Sequence, residues 1–152
     1  MPRTELHDKI DQVLTEARVV LPGAQALLGF EFITILMEGF DKLPASSKYV
    51  HVISLGLIGL TVILLMTPAA YHRIVERGED TEHFHRVASL LLLAAMIPLP
   101  MGICGDVYVV VQKVTESTTL GIASALLALS SFYGLWFGFT IYRRGQLKSG
   151  QA

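Results

Sequence analysis

The sequence predicts an all-α membrane protein: four transmembrane helices preceded by an N-terminal amphipathic interfacial helix, with both termini in the cytoplasm. Three observations carry this. Of 152 residues, 52% are hydrophobic and only 16% charged, with a mean hydropathy of +0.53. The charges gather between four apolar runs, each long enough to cross a bilayer. Finally, basic residues divide unevenly between the two sides those runs define.

Residues 1–21 lack the apolar stretch and small-residue cleavage pattern of a signal peptide. Leu6, Ile10, Val13, Leu14, Ala17 and Leu21 instead recur at helical spacing, with Glu5, Asp8, Asp11, Glu16 and Arg18 largely on other faces. This segment is expected to lie along the inner membrane surface or to cap the bundle. Pro22 and Gly23 punctuate the chain before a first span over 22–40, which the polar turn DKLPASSK ends. A second span covers 49–71, ending around Pro68, and the charged run YHRIVERGEDTEHFHR forms a solvated connection. The third span, 87–111, contains Pro98 and Pro100, which should kink it. The fourth covers 120–142, and a polar tail follows over 145–152. The membrane domain as a whole is 22–144.

One side of these spans carries Arg3, Lys9, Arg18, Arg73, Arg77, Arg86, Arg143, Arg144 and Lys148, against Lys42, Lys48 and Lys113 on the other. That bias places both termini in the cytoplasm. Tyr49 and Tyr108 then fall at the outer boundary, Tyr71 and Tyr142 at the inner one. A net charge of −1 gives no basic field for nucleic acid. The single cysteine, Cys104, excludes an internal disulfide.

Intramembrane acids are the main functional signal, because a charged side chain at the helix centre costs at least ~2.5 kcal/mol. Counted from Pro22, Glu31 lies roughly 13 Å into a core ~30 Å thick. Glu38, seven residues on, returns to nearly the same face about 10 Å further out, and Asp106 should reach a similar outer depth on the third span. Glu31, Glu38 and Asp106 are thus candidates for an acidic ladder opening outward, with Gln25 extending the polar stripe inward. The plainer alternatives are interfacial placement for Glu38 and Asp106, and a structural hydrogen bond for Glu31. Arg18, His72 and Arg73 should meet at the inner interface, where they bind an anionic headgroup, gate a path or cap helix ends.

His72, His83 and His85 share the inner connection with four acids, but in a helix residues 83 and 85 point to nearly opposite faces, leaving these histidines weak metal candidates. His51 and His72 lie ~31 Å apart along one helix and cannot share a haem. Neither metal nor another cofactor is expected. With no activated nucleophile or phosphate loop, an enzyme is not expected either. Ser130, Gly134 and Gly138 recur every four residues, a face for close packing within the bundle or, second, for self-association.

The run EARVVLPGAQALLGF, followed by TPAAYHR at the end of the second span, resembles a family of small bacterial four-span membrane proteins of unassigned function whose members are often labelled sodium:proton antiporters. The resemblance covers about residues 10–145 and rests on Arg18, Pro22, Gly23, Gln25, Gly29, Pro68, His72 and Arg73. It implies a multi-pass protein of the bacterial cytoplasmic (inner) membrane and exchange of small cations or protons. Together with the intramembrane acids it leads to the expectation of an oligomeric cation or proton transporter or channel, with Glu31 as the ion-responsive group and a homo-oligomer or a membrane partner completing the path. The competing expectation is a non-transporting accessory subunit or lipid-binding scaffold.

Overall fold

The computed structural model describes residues 3–149, with side chains from 4 to 147; the last residues of the expected tail, 150–152, lie outside it. Among the described residues all regular structure is helical: α1 (Arg3–Ile35), α2 (Glu38–Asp41), α3 (Ala45–Ile74), α4 (Glu82–Ala95), α5 (Pro98–Thr115), α6 (Thr118–Tyr133), a π-helical turn (Gly134–Phe139) and α7 (Thr140–Ser149). Four stretches are long and apolar enough to cross a membrane: α1, α3, α4 with α5, and α6 through α7. Large apolar side chains such as Phe30, Phe32, Ile63 and Leu127 point away from the bundle, as they must where lipid or a partner replaces water.

The N-terminal segment is not a separate element. α1 runs unbroken through Pro22 for 33 residues, about 50 Å. Proline's fixed φ suits a helix, but inside one it removes a backbone hydrogen bond and its ring crowds the carbonyl four residues back, here that of Arg18, a cost that the rest of α1 absorbs. Being about 20 Å longer than a hydrocarbon core, α1 leaves its first turns outside any membrane its second half spans. Those turns pack upright: Ile10 and Val13 bury against Phe84 and Ala88 of α4. Thr81 caps α4, its hydroxyl accepting the Phe84 N–H at 3.0 Å.

Pro68 likewise does not stop α3, which continues to Ile74 with Pro68 buried inside it. The third span breaks where the prolines predict. α4 ends at Ala95, Met96 and Ile97 form a turn, and α5 restarts with Pro98 in its first turn. Tyr133 of α6 donates its hydroxyl to the Ile97 carbonyl at 2.8 Å, satisfying an acceptor exposed by the break.

α3 is the hub, lying against α1, α4 and α5, while α6 packs on α5. Two glycines permit its approach to α5. A Cβ on Gly102 would lie 2.7 Å from Ile58, and one on Gly105 would fall onto the Ser54 hydroxyl. The buried face of α3 reads Ser47, His51, Ser54, Ile58, Thr61, Leu65, Pro68, a stripe of alternating four- and three-residue steps that is polar over much of its length. Lys9 and Arg18 of α1 share an end with Arg73, Arg77 and Arg86. At the opposite end Lys113 donates to the Gly39 carbonyl and Lys48 to that of Asp41, each at 2.9 Å.

Candidate functional site

Glu31, His51 and Asp106 converge where α1, α3 and α5 meet, each offering a donor atom within 4.8 Å of the other two. Glu31 comes from the inward stripe of α1, on which Ile10, Val13, Ala17, Ala24 and Glu31 follow one another at intervals of three, four and seven residues. His51 belongs to the polar stripe of α3, and Asp106 follows the glycine that lets α5 touch α3. Glu31 is 4% exposed and His51 3%, whereas the Asp106 side chain keeps 27%, so the site opens along α5.

The hydrogen bonding is incomplete in an informative way. His51 Nε2 lies 3.1 Å from the Glu31 carbonyl oxygen. A carbonyl only accepts, so Nε2 carries the proton, and in the neutral ring Nδ1 presents a lone pair. That lone pair faces Asp106 Oδ1 at 3.7 Å. Asp106 Oδ1 and both carboxyl oxygens of Glu31 are buried without a hydrogen-bond partner. Acceptors therefore face acceptors, an arrangement that needs a cation or protons between them. Phe40 of α2 closes the connection end of the site, its ring edge-on to the imidazole with centroids 5.3 Å apart. One turn nearer that end, Ser47 donates to Gln112 Oε1 at 2.7 Å, both residues buried.

The expected acidic ladder is thus only partly assembled. Glu31 and Asp106 come together, but Glu38 does not join them. α1 stops at Ile35, Met37 is extended, and Glu38 opens α2 as an exposed residue, so the seven-residue phase argument fails at the helix end. Gln25 is exposed on another face, since six residues turn a helix by about 600°, some 120° out of phase with Glu31. Glu31 lies four residues, about 6 Å, from the end of α1, so the site sits close to the α1–α3 connection.

Arg18, His72 and Arg73 line one cavity of about 250 Å³ between α1 and α3. The three loop histidines do not gather. His72 Nε2 lies 3.7 Å from Asp80, His83 Nε2 lies 3.0 Å from the Tyr71 hydroxyl, and among the described residues the one potential metal-ligating cluster is Glu31, His51 and Asp106. Asp80 also takes a 2.6 Å hydrogen bond from His7, tying the start of α1 to the α3–α4 connection. Ser130, Gly134 and Gly138 are exposed, and nothing lies within 4 Å of a Cβ on Gly134. The π turn interrupts their four-residue rhythm, so intramolecular packing does not use that face.

His51 is the residue that sequence reasoning missed. The available signal was its place in the polar stripe Ser47, His51, Ser54, Thr61 on an otherwise apolar helix.

Among the described residues, the fold and site define an all-helical protein with four potential membrane spans and a largely buried carboxylate–imidazole–carboxylate cluster between three of them. The chain belongs to DUF6328, a family of unknown function, whose model matches residues 2–140. That description carries no antiporter assignment. No curated protein and no solved structure matches the chain.

Proposed function

We propose that this is a non-enzymatic, multi-pass protein of the bacterial cytoplasmic membrane that binds a small cation or proton at Glu31, His51 and Asp106 and passes it across the bilayer. The observation carrying this reading is the pair of unpartnered, buried Glu31 oxygens facing Asp106 and the lone pair of His51. A structural hydrogen bond, the plainer role for Glu31, would need one of the two facing carboxyls to keep its proton and donate it to the other, so even that role makes the pair a proton site. The bundle has little interior of its own, and its outward apolar faces suit lipid or further copies of the chain, so an oligomer completes the path. Ion flux in proteoliposomes under imposed H⁺, Na⁺, K⁺ or Zn²⁺ gradients tests the reading. Flux that needs the protein and is lost in Glu31→Gln supports it; an inserted, folded parent no leakier than empty liposomes refutes it.

A second reading, a lipid-binding scaffold or accessory subunit, is favoured by the cavity that Arg18, His72 and Arg73 line, where two guanidinium groups suit a lipid phosphate. It predicts that Glu31→Gln retains function while Arg18 and Arg73 substitutions lose it.

A further inference from the structure

We infer that Glu31, His51 and Asp106 form a binding site for a divalent transition-metal ion of the Zn²⁺ class, with His51 Nδ1 and one oxygen from each carboxylate as ligands. This names the ion class for the cation site proposed above and rests on that reading.

Three features select the ion. The first is the donor set. One imidazole nitrogen with two carboxylate oxygens suits Zn²⁺ and its first-row neighbours, whereas Na⁺, K⁺, Mg²⁺ and Ca²⁺ sites are built from oxygen. The second is orientation. A metal-binding histidine ordinarily donates its other ring N–H to a carbonyl or carboxylate, which fixes the tautomer and aims the free nitrogen. His51 does this already, Nε2 bonding to the Glu31 carbonyl at 3.1 Å and Nδ1 turning toward Asp106. The same stretch of α1 thus supplies both a ligand and the support for a second ligand.

The third feature is charge. A divalent ion that displaces the carboxyl protons cancels the −2 of two carboxylates and a neutral imidazole, whereas a monovalent ion leaves the site neutral only if one carboxyl keeps its proton, in a place where Glu31 and His51 are almost wholly buried. The donor atoms fall within 4.8 Å of one another, against a separation of about 3.3 Å between ligands on a tetrahedral ion with bonds of ~2.0–2.1 Å. Metal binding would draw the donor atoms together by up to that difference. Three protein ligands leave a position open, and the exposed flank of Asp106 gives access to it.

Zinc binding to the full-length, untagged chain in detergent tests this by equilibrium dialysis, with Co²⁺ as a spectroscopic substitute. The expected result is one Zn²⁺ per chain. Visible Co²⁺ bands should report a nitrogen-containing site, and the unfolding temperature of the unmodified chain should rise on adding zinc. His51→Gln and Asp106→Asn should each weaken binding by more than the 10- to 100-fold typical of losing a supporting contact. Glu38→Gln, outside the site, should bind like the parent. No stoichiometric binding, or binding that survives His51→Gln and vanishes on replacing His72 and His83, overturns the assignment. Should a variant of the site fail to fold, the parent is compared with the chain carrying His72→Gln and His83→Gln: zinc binding and Co²⁺ bands unchanged by those substitutions support the assignment, and their loss overturns it. Flux of protons or monovalent ions lost in Glu31→Gln, from a chain that binds no zinc, overturns the metal and leaves the cation reading standing. Zinc binding without any flux does the reverse.

Discussion

Substituting Gly105 with alanine should separate α5 from α3 and take Asp106 away from His51. The added Cβ would occupy the place of the Ser54 hydroxyl, with the Ser54 Cβ and Val50 Cγ1 each 3.4 Å away. Ser54 is 1% exposed and has little room to yield, so the helices must shift. Overpacking of this kind costs about 1–3 kcal/mol, or roughly 5- to 150-fold in the unfolding equilibrium. Removing the obstructing oxygen should relieve it. Ser54→Ala leaves only the two 3.4 Å neighbours, so Ser54→Ala with Gly105→Ala should recover most of the loss and come within about 0.5 kcal/mol of Ser54→Ala alone. Thermal unfolding of the four proteins in detergent, followed by helical circular dichroism and by alkylation of the buried Cys104, measures the cycle. Additive effects of the two substitutions, or a Gly105→Ala protein as stable as the parent, would refute the close approach on which the site depends.

Two further outcomes follow from other contacts. Ser47→Ala leaves the buried Gln112 oxygen without its donor and should cost about 1–3 kcal/mol, whereas Ser47→Ala combined with Gln112→Leu should be milder; denaturation of both variants checks this. His7 lies outside the spanning part of α1, and the hydrogen bond to Asp80, then the charge of Asp11, hold it above the ordinary histidine value of 6.5. Its folded pKa is raised, so its stabilisation is complete below about pH 6.5 and fades as pH rises through the folded value. The unfolding temperature should decline across that window in the parent and much less in His7→Gln.

Much of the architecture was legible because a bilayer constrains sequence so strongly. Continuous apolar runs gave four membrane-length helices, and Pro98 with Pro100 marked the break between α4 and α5. Proline was over-read twice. Pro22 and Pro68 sit inside helices whose packing outweighs one lost hydrogen bond, so the boundary at residue 21 does not exist as a break. Glu31 was legible as an acid in an apolar run. Its partners were less so: the helical phase linking Glu38 to it ends at Ile35, and Gln25 lies some 120° around α1 from it. His51 was weighed only against His72 on its own helix, whereas its partners lie on α1 and α5. Pairings between helices depend on which stripes face each other, and here two glycines of α5 set that choice.

The central claim is that Glu31 and Asp106 serve one cation site, and a double-variant cycle of ion flux in proteoliposomes tests it most directly. Glu31→Gln, Asp106→Asn and the double variant are compared with the parent at matched insertion. Residues acting on one ion are non-additive, so either single variant should abolish nearly all of the flux and the double should lose little more. Parent-level flux in Glu31→Gln, or independent losses that multiply in the double variant, would contradict the account.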